Sequence, residues 1–261
     1  MTLIKHELRE GWKSLAIWTL SIGFFIVICV MMYPEMEGEM EEVSEMFSSM
    51  GAFTAAFGMD RLNFGTLIGF YAIECGNILG IGGAFFAAIL GITALAKEEK
   101  ERTAEFLLSH PISRHRIITE KLIAVLLQIV ILNVLVFLMS IASIAGIGEE
   151  IVWEELCLLH VSYFLVQTVL AGICFGISAF ICGNGIGVGI GFATIMYFIN
   201  IVANITESAR DLKYLTPFGF AEGADIIANV DLEWKMVAVN MAFSVIGIII
   251  AYWKYGKKDI Q

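Results

Sequence analysis

The sequence predicts an all-α polytopic membrane protein with six transmembrane helices. Three observations carry that prediction. The chain of 261 residues is 58% hydrophobic, with a mean hydropathy of +0.81, well outside the composition of a soluble domain. Its apolar residues fall in unbroken runs of the ~20 residues that an α-helix needs to cross the hydrocarbon core. A transmembrane barrel would show alternating strands of ~10 residues instead. Finally, its sixteen Lys and Arg residues are shared very unevenly among the segments between those runs.

The chain opens with residues 2–14, where Ile4, Leu8 and Trp12 recur every four positions and Lys5, Arg9 and Lys13 do the same one step round. That pattern predicts an amphipathic helix in the headgroup layer, its cations toward anionic lipid. The first span is expected over 15–33, with Pro34 helping to end it. Residues 35–60 begin acidic, at Glu35, Glu37, Glu39, Glu41, Glu42 and Glu45, and continue rich in Met and Phe. The pattern fits an amphipathic helix at the far surface. The glutamates lack the Asp-rich, Gly-centred spacing of a calcium loop and read as a solvated face.

A second span is expected over 66–96, longer than one crossing needs, so it tilts or projects. The third is expected over 117–144, the fourth over 156–181, the fifth over 186–205 and the sixth over 236–252. A polar segment, 206–235, precedes the sixth. Twelve of the sixteen cations lie in the amino-terminal segment, the central loop and the carboxy-terminal segment. The opposite loops hold only Arg61, Arg210, Lys213 and Lys235, against seventeen acids. Lys and Arg bias sets orientation, so both termini and the central loop are expected on the cytoplasmic side of the cell membrane.

The composition also excludes chemistry. A net charge of −10 and the absence of a basic patch of the required size argue against nucleic-acid binding. The five cysteines have no paired spacing and read as small buried hydrophobes. No cleavable signal peptide is read at the amino terminus, where Glu7 and Glu10 precede an apolar run without a small-residue cleavage site. No G-x-x-x-x-G-K-[ST], H-E-x-x-H or G-x-S-x-G occurs, so neither nucleotide binding by the usual loop nor intramembrane catalysis is expected. Gly183, Gly187 and Gly191 form one row at helical spacing and Gly185 and Gly189 a second, which suits close helix packing. Glu74 is the only acid well inside a span, with Asn77 one turn later. An intramembrane acid is a functional-site candidate, and hydration near the outer interface is the plain alternative.

The central stretch 94–121 is the one densely charged segment between apolar runs. It holds Lys97, Lys100, Arg102, Arg114, Arg116 and Lys121 interleaved with Glu98, Glu99, Glu101, Glu105 and Glu120. Within it, residues 103–109 predict a short amphipathic helix with Ala104, Leu107 and Leu108 on one face. Thr103 suits its N-cap, Glu105 suits the first turn, and His110 before Pro111 stops it.

The stretch Glu99–Arg114, EKERTAEFLLSHPISR, resembles the loop between the second and third spans of ABC-2 type transporter permeases. That family shows E-x-x-x-G/R-T-x-E-x-L-L-x-x-P-V/I-S/T-R there. Glu99, Thr103, Glu105, Leu107, Leu108, Pro111, Ser113 and Arg114 match as they stand, and Arg102 occupies the place where glycine is common. The resemblance extends to the six-span layout. It implies a permease whose helix 103–109, with Phe106 also on it, docks on a separate ABC ATPase. Two ATPase copies and a second permease half, identical or homologous, complete the transporter. ATP and Mg are then bound by the partner ATPase, and this chain binds no cofactor or metal. The stretch Leu215–Ile227, with Pro217, Phe218 and Gly219, resembles the family's external re-entrant hairpin. Two rival readings remain open. An ion-coupled secondary transporter centred on Glu74 lacks the inverted repeats and paired ionisable groups expected of it. A membrane anchor or assembly factor without transport is the other. The Met- and Phe-rich segment leans toward an amphipathic or hydrophobic substrate.

Overall fold

The computed structural model describes residues 2–97, 113–181 and 183–257. The docking helix expected over 103–109 lies outside them. The described residues form helices and turns, with no strand among them. In chain order they give α1 (Thr2–Ser49), α2 (Ala52–Ala56), α3 (Leu67–Thr93), α4 (Arg114–Ile147), α5 (Trp153–Ser178), α6 (Ile186–Ile205), α7 (Gly223–Asn229) and α8 (Trp234–Lys257). Short 3₁₀ turns lie at Met59–Arg61, Glu207–Leu215 and Pro217–Ala221. Helices α1, α3, α4, α5, α6 and α8 are long and apolar enough to cross a membrane.

Helix α1 departs from the expected division into interfacial helix, span and surface helix. It runs unbroken from Thr2 to Ser49, about 72 Å at 1.5 Å per residue. The hydrocarbon core is only ~30 Å thick, so α1 extends well outside it. Pro34 lies inside the helix rather than ending it. Proline there removes one hydrogen bond, to the Val30 carbonyl. The helix is pinned where that bond is missing: Tyr33 is buried, stacks at 5.4 Å on Phe70 and donates its hydroxyl to the Gly65 carbonyl at 3.1 Å. Neighbouring helices that re-satisfy the backbone make proline tolerable in membrane helices.

Helix termini follow local chemistry. The Thr66 hydroxyl accepts from the Gly69 amide at 3.3 Å and caps α3. Ser113 does the same for α4, accepting from the Arg116 amide at 3.4 Å. Helix α4 ends at Gly148, whose φ of 80° suits a residue without Cβ.

Helices α3 and α5 form the centre. Some 61% of the apolar stretch of each is buried, against 28% for α1 and 22% for α6, so the others wrap this pair and face lipid. Close approach explains the pairing. A Cβ at Gly76 or Gly80 would run into the Tyr163 ring, one at Gly83 into the Gln167 amide, and one at Gly91 into the Ala171 carbonyl. Helix α8 meets α5 backbone to backbone: a Cβ at Gly176 would lie 2.5 Å from the Gly247 carbonyl oxygen, and one at Gly247 2.8 Å from that of Gly172. Between lipid-solvated helices there is no hydrophobic drive to associate, so close van der Waals contact of this kind carries the packing.

The backbone of 207–221 is irregular, and Pro217 through Ala221 are buried. Thr216 holds it: its hydroxyl donates to the Met196 carbonyl at 2.8 Å and accepts from the Phe218 amide at 3.3 Å. Phe218 meets Tyr197 edge-on at 5.3 Å, and a Cβ at Gly219 would strike the Lys213 carbonyl. Irregular backbone beside membrane helices is tolerated where protein covers it.

These contacts rank the glycines. Gly176→Val and Gly247→Val are expected to abolish recovery of monodisperse protein, because backbone cannot retreat as a flexible side chain can. Gly187→Ala, with no atom within 4 Å of its Cβ position, is expected to leave both yield and melting temperature unchanged.

Candidate functional site

The first turns of α1, the end of α3, the start of α4 and the end of α8 meet at one end of the bundle, called here the near end. The described ends of α1 and α8, Thr2 and Lys257, and the residues flanking 98–112 therefore share it. Lys121, only 1% exposed, donates to the Glu7 carboxylate at 2.9 Å. A buried ammonium needs such a partner to offset its desolvation. Lys97, the last described residue before segment 98–112, bonds Glu10 at 2.5 Å and lies 3.9 Å from Glu7. The Leu3 amide donates to Glu120 at 3.2 Å, and Arg116 bonds the other oxygen of that carboxylate at 2.9 Å. Just past segment 98–112, Arg114 donates to the Tyr255 and Gly256 carbonyls, each at 3.4 Å. Thr119 and Tyr252 join α4 to α8 by a 2.6 Å hydroxyl contact. The described residues on either side of 98–112 are thus held, Lys97 to α1 and Arg114 to α8.

The opening helix turns also differ from the periodicity expected of them. The row set against α4 is Leu3, Glu7 and Gly11, not Ile4, Leu8 and Trp12. Ile4 and Leu8 are half-buried beside it, and Trp12 is exposed.

Deeper in, polar side chains close on each other. The Tyr71 hydroxyl lies 2.7 Å from Ser140 Oγ and 2.8 Å from His160 Nε2, and Ser140 Oγ lies 3.0 Å from the Val136 carbonyl. These buried contacts tie α3, α4 and α5 together. Asn133 and Gln167 exchange amide hydrogen bonds across α4 and α5, the shorter at 2.6 Å. Gly83 provides the room for Gln167.

At the far end, Glu222 is buried. It accepts from Asn204 at 2.8 Å and from Asn200 at 3.5 Å, with Arg61 at 4.0 Å. Arg61 also pairs with Asp225, which lies 3.8 Å from Lys213. A cavity of about 50 Å³ lies below, lined by Asn77, Tyr163, Tyr197 and the two asparagines. No reading of the sequence singled out Glu222. Its neighbours Gly223 and Ala224 are small and apolar, a hint of burial that its place in an acidic segment obscured.

The residues expected from the sequence are distributed as follows. Glu99, Arg102, Thr103, Glu105, Phe106, Leu107, Leu108 and Pro111 lie outside the described residues; Ser113 and Arg114 are the cap and the mooring just given. Glu74 is partly exposed, next to Cys75, whose thiol faces the Ile26 carbonyl. Asn77 instead accepts from Tyr197 at 3.4 Å, so the two are not brought together. Gly189 packs on α3, where its Cβ would lie 2.8 Å from Ile92 and 3.0 Å from the Ala88 carbonyl. Gly185 faces Ile92 and Ile181, while Gly183, Gly187 and Gly191 have open space around them. Among the described residues, no three His, Cys, Asp or Glu side chains are grouped to hold a metal ion.

The buried pair at the near end makes a measurable demand. Glu7→Leu leaves Lys121 buried without this carboxylate and is expected to destabilise by roughly 3–5 kcal/mol. The double variant Glu7→Leu/Lys121→Leu should recover most of that loss, because no charge is then stranded. Thermal unfolding of the four proteins in detergent completes the cycle; additive single effects would disprove the coupling.

Comparison with known proteins agrees with this architecture. No curated protein matches the chain. A family model described as "ABC-2 family transporter protein" matches residues 1–260. Six helices long and apolar enough to cross a membrane, in a sequence without the usual nucleotide-binding loop, therefore belong to a membrane protein of the ABC-2 transporter family.

Proposed function

We propose that this ABC-2 family permease moves an amphipathic or hydrophobic substrate outward across the cell membrane, driven by ATP hydrolysis in a separate ABC ATPase. The near end is cytoplasmic. Residues 103–109 dock on the ATPase, with Leu107 as the central anchor beside Phe106 and Leu108, and with Glu99, Arg102, Glu105 and Arg114 as the polar rim. Two ATPases and two permease halves make the transporter, and ATP and Mg stay in the ATPase. Closure of the ATPases moves the docking segment, and rigid helices carry that motion across the bilayer.

The observation that carries this reading is the anchoring of the residues flanking segment 98–112. Lys97 grips Glu10 and Glu7 on α1, and Arg114 grips two α8 carbonyls. A push on the segment reaches α1, α3, α4 and α8 at once. The surplus of Lys and Arg at this end supports a cytoplasmic placement.

Docking through a few apolar anchors makes the interface sensitive at its centre. Leu107→Asp would bury an unpaired charge; it is expected to release the ATPase in a pull-down and to abolish transport-coupled ATP turnover, while the protein still inserts. Arg102→Ala, at the rim, should do much less. If Leu107→Asp retains both binding and coupled turnover, 103–109 is not the docking element.

Orientation has its own test. Single cysteines at Glu41 and Glu149 should react with an impermeant maleimide in intact cells, and one at Arg114 only after permeabilisation. Labelling at Arg114 from outside would reverse the assignment.

A further inference from the structure

At the far end, the connection between α1 and α3 reaches over the cavity of about 50 Å³ beside Glu222. Phe57 and Leu62 of this connection and Ala221 and Ala224 of the irregular segment line the cavity on its far-end side. Asn77 on α3 and Tyr163 on α5 line it from within the bundle. The two ends of the connection are pinned together, because Tyr33 of α1 donates to the Gly65 carbonyl just before α3. Its middle is built differently. Gly51 and Gly58, at φ 58° and 68°, flank the five-residue helix α2. Only glycine adopts that conformation freely, and no atom lies within 4 Å of a Cβ placed at Gly51. The backbone is therefore free to swivel at that point.

A small set of polar contacts holds this middle part down. Arg61 pairs with Asp225 and lies 4.0 Å from Glu222. Asn204 on α6 donates to the Ala56 carbonyl at 3.3 Å and to Glu222 at 2.8 Å. The backbone at Gly58 rests against the same carboxylate, which a Cβ there would strike. Residues 56–61 are thus fastened to 222–225, more than 160 positions along the chain.

The closed arrangement is finely balanced. The Arg61 and Asp225 side chains are 43% and 38% exposed, and an ion pair standing half in water separates readily. Closure also has a cost. Asn200 is buried, and its Oδ1 and that of Asn204 have no partner among the described residues. A buried acceptor left unpaired carries its full desolvation penalty, and water entering the cavity from the far end would relieve it.

We propose that residues 51–61 form a hinged flap over this cavity, latched shut by the Arg61–Asp225 pair, and that the flap lifts to open the cavity to the far side. The irregular segment 207–229 is the fixed jaw, held to α6 through Thr216 and through Glu222. The flap is the moving one, with Gly51 as its hinge. This device belongs to the chain itself and requires neither ATPase docking nor an assignment of sides.

The test places a cysteine on the inner wall of the cavity, Asn77→Cys, in the full chain reconstituted in lipid nanodiscs. Its rate of reaction with a charged methanethiosulfonate reagent is followed by intact mass, against the same protein without that cysteine. Arg61→Gln should raise the rate by about fivefold, the equilibrium shift set by one half-exposed ion pair. Asp225→Asn should raise it too, and the double variant should match Arg61→Gln, because a latch can be released only once. Lys235→Gln, at the same end but outside these contacts, should change nothing, and melting temperatures check that every variant is folded. An unchanged rate in Arg61→Gln would overturn the proposal. So would multiplying effects in the double variant, which would mean that the two side chains act separately. A rise in Lys235→Gln equal to that in Arg61→Gln would also overturn it, assigning the change to general surface charge.

Discussion

The contact of α3 with α5 along Gly76, Gly80, Gly83 and Gly91 is what the rest of the bundle leans on. In hydrocarbon, apolar side chains gain little by leaving lipid for protein, so helices associate where backbones come close and polar groups find partners. Each glycine on α3 admits one feature of α5: the Tyr163 ring, the Gln167 amide, the Ala171 carbonyl. Admitting Gln167 sets up its exchange with Asn133 and so brings α4 into register. The Tyr71–Ser140–His160 chain fixes the same three helices nearer the far end. Around this centre the remaining helices turn large apolar side chains outward, among them Phe24, Phe25 and Met31 on α1 and Ile246, Ile249 and Trp253 on α8. In water such a surface would aggregate; in lipid it is the ordinary solvent-facing side.

Charge is handled differently at the two ends. At the near end the ion pairs are long-range in sequence, Glu7 with Lys121 and Glu10 with Lys97, and they fasten the start of the chain across α3 and α4. Removing one partner from a buried pair costs far more than removing both, which makes the first turns of α1 an integral part of the bundle rather than an appendage. At the far end, Glu222 is held mainly by neutral amides, with Arg61 shared between it and Asp225. That arrangement closes irregular backbone over the bundle and gives the buried carboxylate its partners. At the near end, separate polar contacts thus tie α1, the end of α3, α4 and α8 to one another.

Fold class and family were legible in the amino-acid sequence because they rest on one-dimensional quantities. Lengths of apolar runs, the sharing of Lys and Arg among loops, and a motif of contiguous residues all survive without knowledge of contacts. Pro34 was misleading for a physical reason. Its lost hydrogen bond is a local penalty, and the compensation comes from Tyr33 packing on Phe70 and reaching Gly65, residues more than thirty positions away. The row of Ile4, Leu8 and Trp12 suggested a free amphipathic surface. The adjacent row of Leu3, Glu7 and Gly11 carries the protein contact, because Glu7 finds Lys121, 114 positions along the chain.

The glycines make the same division within a single residue type. The conspicuous rows at 183–191 are visible by spacing, yet only Gly185 and Gly189 have neighbours pressed against them. Closer approaches fall at Gly83, Gly91, Gly172 and Gly176, outside those rows. Sequence determined that this chain crosses a membrane as six helices, which end carries its cations, and which family it belongs to. Tertiary structure alone decided which glycines admit a neighbour, which buried Lys finds a carboxylate, and which acid is buried at the far end. Each of those depends on the side chain that folding brings opposite, and that partner lies too far away along the chain for periodicity to name it.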